Sequence, residues 1–357
     1  MSKANREQER LAFVKKTHWA KADMQLLAGD ASFRKYYRLF PAEQMFGMPS
    51  AVLMDAPPDK EDIKPFIAIA DRLKILGYAS PTIIAQNIPK GFLLLEDFGD
   101  DSFNHVIDAM PARENELYSA AVDVLVDLHS RGILNPLPIS PRKKHKVLPY
   151  SHAILMEEVR LLPQWTLRAL LGEDAERDSA FDGVWQRPLA MLQKDPSVLV
   201  LRDYHADNLM WLPTRVNLER VGLLDFQDAL LGHPAYDLVS LLQDVRRVVP
   251  PALEERMIAR YIHGRTAQGY DLDEENFRAA YAILGAQRNV KIIGIFTRLY
   301  LRDGKPEYLN FIPRIWGLIE RNLWHESLKP LKDWMQTHIS QSLRKKTLKP
   351  QDFKEVE

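Results

Sequence analysis

Asp203, Asn208 and Asp225 stand in two short polar segments, Arg202-Asp203-Tyr204-His205-Ala206-Asp207-Asn208 and Leu223-Leu224-Asp225-Phe226. Phosphoryl transfer from ATP needs a carboxylate to orient and deprotonate the attacking hydroxyl. It also needs oxygen ligands for the magnesium ions that bridge the phosphates. An Asp, an Asn five positions on, and an Asp-Phe on the next strand supply those parts in that order. Asp203 takes the place of the general base, and Asn208 and Asp225 take the places of the magnesium ligands. Either segment alone reads equally well as a polar turn, because Asp and Asn are turn formers. Together they read as the catalytic loop of a kinase.

Such a loop needs strands on both sides. Val198-Leu199-Val200-Leu201 and Gly222-Leu223-Leu224 are brief apolar runs in those places. Before them, the first hundred or so residues alternate between helix and strand. Residues 6–19 predict a helix, 24–27 and 35–40 two strands, 51–54 a third strand stopped by Pro57-Pro58. Residues 63–76 have helical spacing and end at Gly77, and 83–84 and 92–95 read as further strands. The pattern then turns helical: 114–129, 154–170, 238–248, 253–264, 274–297, 306–322 and 331–343, with 142–146 a basic loop. The expectation is an α+β, protein-kinase-like two-lobe fold. A small antiparallel β-sheet lobe with the hinge, 1–98, would bind nucleotide. A larger, mainly helical lobe, 99–357, would carry the catalytic loop and the substrate site.

Composition bounds the function classes. Lys plus Arg and Asp plus Glu both number 48, so the formal net charge is zero and nothing favours nucleic acid. The chain has no cysteine, which excludes disulfides and thiolate metal sites and suits a cytoplasmic location. No apolar run approaches the roughly 20 residues that span a bilayer. Its 357 residues exceed one ordinary core, and a monomer of two lobes is expected.

The catalytic segments resemble the aminoglycoside phosphotransferase family. The likeness extends to Ala31-Ser32-Phe33-Arg34-Lys35-Tyr36-Tyr37-Arg38-Leu39, Val52-Leu53-Met54-Asp55-Ala56-Pro57-Pro58, Gly91-Phe92-Leu93-Leu94-Leu95-Glu96-Asp97-Phe98-Gly99, Gly285-Ala286-Gln287-Arg288-Asn289 and Arg302-Asp303-Gly304-Lys305. These stretches look like the bacterial cell-wall-sugar kinases of that family. The resemblance implies ATP and magnesium as cofactors. It implies the anomeric hydroxyl of N-acetylmuramate or N-acetylglucosamine as acceptor, in peptidoglycan recycling. It also implies that Asp237 ties down the catalytic loop.

Other candidates follow from position. Glu96-Asp97-Phe98 ends an apolar strand and reads as the hinge that offers adenine its backbone, with Glu96 and Phe98 as the contacts. Ser32, in a loop with one glycine, is a phosphate contact through its hydroxyl and nearby N–H groups. Met54 stands where the third strand of a kinase carries its phosphate-holding lysine. Arg34 and Arg38 are the replacements, since residues an even number apart share one face of a strand. His205 either touches substrate or is a structural histidine. Glu158 and Trp165 are the sugar contacts, through a carboxylate and a stacking ring. Two alternatives stay open: another small hydroxyl acceptor, aminoglycoside or choline-like, and a nucleotide-binding regulator without turnover.

Overall fold

In Lys35-Tyr36-Tyr37-Arg38-Leu39-Phe40 successive side chains fall on alternate faces of a strand, Tyr37 and Leu39 on one and Tyr36 and Arg38 on the other. We describe this chain from a computed structural model covering residues 3–29, 33–42, 47–140, 142–172, 179–192 and 197–353. In chain order come α1 (Lys3–Val14), β1 (Asp23–Gly29), β2 (Lys35–Phe40), β3 (Ala51–Asp55), α2 (Lys64–Ile75), β4 (Ile83–Asn87), β5 (Phe92–Glu96), α3 (Phe103–Ala109) and α4 (Glu114–Ser130). Then follow β6 (Leu137–Ser140), β7 (Lys143–His145), α5 (His152–Val159), a π-helical turn (Leu162–Leu167), α6 (Arg168–Leu171) and α7 (Ser179–Met191). The remainder is β8 (Val198–Val200), β9 (Leu209–Trp211), β10 (Val221–Leu223), β11 (Leu230–Gly232), α8 (Ala235–Leu242), α9 (Pro251–Ala267), α10 (Glu274–Asp303), α11 (Ile312–Asn322), α12 (Lys329–His338) and α13 (Gln341–Lys345).

The described residues divide into two compact units. The first holds Met1–Ala120, Leu134–Val147 and Asp207–Ala229; the second holds Ala121–Ile133, Leu148–Ala206 and Leu230–Glu357. The first unit is built on an antiparallel sheet of order β1-β2-β3-β5-β4. Leu39, Ala51, Leu53, Phe92 and Leu94 form one apolar face and pack on Phe13, Val14 and Trp19. The Phe13 and Phe92 rings stack at 5.5 Å. The opposite face carries Arg38 paired with Val52, Val52 with Leu95, and Tyr36 with Met54. Met54 is buried there, at 1% exposure, on the side that lines the cavity described below.

This unit also draws in the chain that follows the catalytic loop. The β9–β10 hairpin joins it through Leu223 N–H donating to Ala79 O and Trp211 N–H donating to Asp101 O, both at 2.7 Å. Residues 142–146, read as a loop, mostly belong to β7, which pairs with β6.

The second unit is helical and centred on α10, thirty residues of which most are buried. Asp273 caps its start by accepting from Asn276 N–H, and Gly304, at φ 67°, ends it. The helix expected over 154–170 is interrupted by the π-helical turn at Leu162–Leu167. Pro163 lacks the N–H that a regular turn would use, so the ladder widens there. Gly294 of α10 passes so close to that turn that an added Cβ would lie 2.4 Å from the Leu161 carbonyl carbon. Among the described residues no helix is long and apolar enough to cross a membrane.

Gly294→Ala is therefore expected to cost about 1–3 kcal/mol through overpacking. Thermal or urea unfolding measures this, and an unchanged midpoint would contradict the close approach.

Candidate active site

The catalytic loop leaves β8 through backbone that is anchored from below. The Asp237 carboxylate, fully buried in the first turn of α8, accepts the N–H of Leu201 at 2.7 Å and of Arg202 at 2.8 Å. Arg202 has φ 72°, a left-handed conformation that an L side chain adopts at a cost of about 1–2 kcal/mol. The two charge-assisted hydrogen bonds to Asp237 hold it there. His129 stands 3.8 Å from the same carboxylate, and burial pushes its imidazole below the ordinary value. At neutral pH it is uncharged and hydrogen-bonded to the Tyr261 hydroxyl.

The Arg202 side chain runs into a buried ionic cluster centred on Glu158. Oε1 of Glu158 takes Arg202 at 2.6 Å and Lys291 at 3.2 Å. Oε2 takes Tyr150 and Gln287, the latter at 2.9 Å. Lys291 also donates to the Tyr236 hydroxyl at 2.8 Å. Burial alone would raise the Glu158 carboxyl; Lys291, Arg202, Tyr150 and Gln287 overcome that and hold it below its ordinary value. Both Glu158 oxygens are thus occupied by protein donors. The carboxylate expected to meet a sugar instead anchors the residue before the base.

Asp203 itself is half-buried. Burial would raise its carboxyl, but Lys291, His205, Arg288 and Arg202 hold it below the ordinary range. His205 is buried, with Arg246 Nη1 3.4 Å from its Nε2, and its own value is lowered by burial. With His205 neutral, the standing cations around Asp203 are Lys291, Arg288 and Arg202. Trp165 is half-buried in the π-helical turn, and no ring contact is formed by it among the described residues.

The other candidates gather in the first unit. A cavity of about 370 Å3 is lined by Tyr36, Arg38, Val52, Phe66, Leu95, Glu96, Phe98, Met210 and Leu224, with Asn208 and Asp225 at its polar side. Leu224 N–H donates to Asn208 O at 3.0 Å, which fixes those two segments side by side. Asp225 has φ 55°, and its Oδ1 accepts from Gln227 Nε2 at 2.6 Å. Phe98 lies against Gly222, where an added Cβ would come within 2.8 Å of the ring. Arg215 sits over the other part of that ring at 5.0 Å and pairs with Glu96. Thr82 donates through both N–H and hydroxyl to Glu96 Oε2.

The two replacement arginines separate. Arg38 is tied to Asp97 at 2.6 Å and to Asp100 at 2.8 Å, so it joins β2 to the segment after β5. Arg34 donates to Glu61 at 3.1 Å and reaches Asp225 at 3.7 Å. Burial opposes its charge, but Tyr36, Glu61 and Asp225 raise its affinity for the proton. Ser32 lies outside the described residues. A larger hollow of about 420 Å3 lies on the α1 side of the sheet, around Arg6, Arg10 and Asp55, and holds none of the catalytic-loop residues.

Sequence reasoning passed over Lys291, Gln287, Tyr150 and Tyr236. One signal was present: Gln287, Arg288 and Lys291 interrupt the apolar run of α10 at a spacing of three to four, which places them on one helical face.

Comparison with known proteins matches the pattern of the phosphotransferase enzyme family over residues 23–274. The chain belongs to that family. It is 34% identical to a protein of Caulobacter vibrioides named N-acetylmuramate/N-acetylglucosamine kinase, covering 96% of this chain and 99% of the relative. A protein of the same name from Pseudomonas aeruginosa is 35% identical, over 82% of this chain and 81% of its own. Among solved structures, an ADP-bound aminoglycoside phosphotransferase superposes with TM-score 0.57 at 16% identity, covering 89% of this chain and 97% of that one. A choline kinase from Cryptosporidium parvum gives TM-score 0.59 at 11% identity, covering 92% and 99%. These likenesses establish the family's α+β, kinase-like fold.

Two outcomes follow from the cluster. Lys291→Met leaves Glu158 with one cation instead of two and is expected to lose about 3 kcal/mol. The double variant Glu158→Gln/Lys291→Met loses less than the sum of the single losses, by urea denaturation. Asp203 is held below the ordinary carboxylate value of about 4, so the stability it contributes is complete above that pH and is lost as pH falls through the folded value. Asp203→Asn therefore flattens the acid limb of the Tm–pH profile; an acid limb as steep as the parent's would contradict the assignment.

Proposed function

We propose that this chain transfers the γ-phosphoryl group of ATP to the anomeric hydroxyl of N-acetylmuramate and N-acetylglucosamine, as a step of peptidoglycan recycling in the cytoplasm. The observation that carries the reading is the near-full-length match to relatives named for both sugars. The anomeric position is supported by the family resemblance of the quoted segments.

In this reading Asp203 receives the proton of the acceptor hydroxyl. Its three neighbouring cations keep it ionised, and the Asp237 and Glu158 anchors fix its backbone. Residues 1–98 serve as the nucleotide-binding part, joined by Asn208 to Asp225 on the cavity's polar side. Adenine suits the apolar wall of Val52, Leu95, Phe98, Met210 and Leu224, with the backbone of Glu96 to Phe98 at its edge.

The donor set fits magnesium brought in with a nucleotide. Asn208 and Asp225 supply two protein oxygens. No cluster of three His, Cys, Asp or Glu side chains exists among the described residues that would hold a metal by itself. Magnesium characteristically takes one or two protein ligands plus phosphates. Bound there, it would neutralise charge on the phosphate oxygens. Arg34 takes the place of the cation that Met54 does not provide, because it alone of the two arginines reaches Asp225. Arg38 and Glu158 act as anchors, Trp165 remains the stacking contact for the sugar, and His205 borders the base.

Purified protein incubated with ATP, magnesium and each sugar is expected to yield the sugar 1-phosphate, seen by 31P NMR, with matching ADP. ADP release from other alcohols but not from either sugar would remove the acceptor assignment. Asp203→Ala should lower kcat by about 10^2–10^4-fold while the fold is retained. Arg34→Met should raise the KM for ATP more than that for sugar; the reverse would return the phosphate role to another residue.

A further inference from the structure

Arg288 is a cation beside Asp203 whose guanidinium carries a buried donor with no partner among the described residues. It lies on α10, is only 5% exposed, and forms no hydrogen bond or ion pair among the described residues. Its Nη1 is shut off from solvent without an acceptor. An orphaned buried donor costs about 1–3 kcal/mol, and more when the group is charged. Native structures keep few such groups, and each calls for a partner.

The neighbours make the vacancy specific. Lys291, three residues on along the same helical face, is saturated by Glu158 and Tyr236. Arg202 is committed to Glu158. Around the base stand Lys291, Arg202 and Arg288, with the carboxylates of Glu158, Asp203 and, beneath the loop, Asp237. Asp244 and Arg246 flank His205 from the segment after α8 and offset each other in charge. Among these cations, Arg288 is the one that makes no ion pair with a carboxylate among the described residues. Arg288 bears electrostatically on both Asp203 and His205.

N-acetylmuramate differs from N-acetylglucosamine by a lactyl ether, which ends in a carboxylate. We infer that the Arg288 guanidinium binds the lactyl carboxylate of N-acetylmuramate and takes no part in binding N-acetylglucosamine. A planar fork of donors matches a carboxylate in a way that the point charge of a lysine does not. This inference rests on the sugar-kinase reading and names the group that separates its two acceptors.

Steady-state kinetics with both sugars test it in the full-length protein. Arg288→Gln also removes one of the cations beside Asp203 and should lower turnover of both sugars, but it should lower kcat/KM for N-acetylmuramate at least about tenfold more than that for N-acetylglucosamine. Arg288→Lys should recover part of the loss. An equal fall for both sugars would place Arg288 on the transferring phosphoryl group or in the scaffold, and would overturn the carboxylate assignment. No fall for either would overturn it as well. The lactyl amide of N-acetylmuramate tests the same point in the unaltered protein, should Arg288→Gln fail to fold. The amide is expected to be at least about tenfold poorer than the acid, and equal turnover would overturn the inference. Parent protein that phosphorylates neither sugar would instead remove the sugar-kinase reading, and this inference with it.

Discussion

The carboxylate of Asp237 accepts two successive backbone N–H groups, from Leu201 and Arg202, and the course of the catalytic loop depends on that contact. It holds Arg202 at φ 72°, a conformation the residue would otherwise leave. The backbone turn then sends the Arg202 side chain to Glu158 and sets Asp203 on the next position. A fully buried Asp is tolerable because both its oxygens are paired with donors, with His129 neutral beside it. Strain at the site is thus held by hydrogen bonds outside the reacting residues.

Glu158 plays the complementary part in side chains. Two cations and two neutral donors fill its oxygens, so desolvation is offset on every side. The same cations bear on Asp203 and keep it ionised. A base with a depressed affinity for the proton is a weak proton acceptor but an always available one. That suits phosphoryl transfer, in which the transition state is loose and orientation of the hydroxyl contributes more than strong deprotonation. Family membership and this electrostatic design point the same way, while Arg288 adds a cation with a buried donor that the described residues leave unpaired.

On the nucleotide side, we propose that Arg34, just ahead of the second strand, stands in for the cation that the third strand lacks. Met54 contributes a buried apolar surface on the cavity's side of the sheet. Arg34 pairs with Glu61, just ahead of α2, and approaches Asp225. A cation supported by one acid from the helix approach and one from the Asp-Phe segment keeps the charge pattern of a kinase while changing its source. Arg38 serves mechanics instead, joining β2 to Asp97 and Asp100.

The sequence by itself determined the chemistry and the fold class. Asp203, Asn208 and Asp225 stood out as candidates because phosphoryl transfer calls for those residue types at a characteristic spacing in two short segments. The sheet was legible because the short apolar and aromatic runs of β2, β3 and β5, bounded by turn residues, are local features of a strand. Gly77 likewise marked the end of α2, though the break at Pro163 inside the expected helix was missed despite its proline. Tertiary structure decided what depends on contacts distant in sequence. It separated Arg34 from Arg38, since Arg34 lies just ahead of β2 and pairs with Glu61 near Asp225 while Arg38 pairs with Asp97 and Asp100. It turned Glu158 from a sugar contact into an anchor, because Arg202, Tyr150, Gln287 and Lys291 converge on it from separate segments. It set Arg288 apart from the other arginines of its helix, since its buried unpaired donor and its bearing on Asp203 are properties of the surroundings and leave no mark in the residue's own sequence.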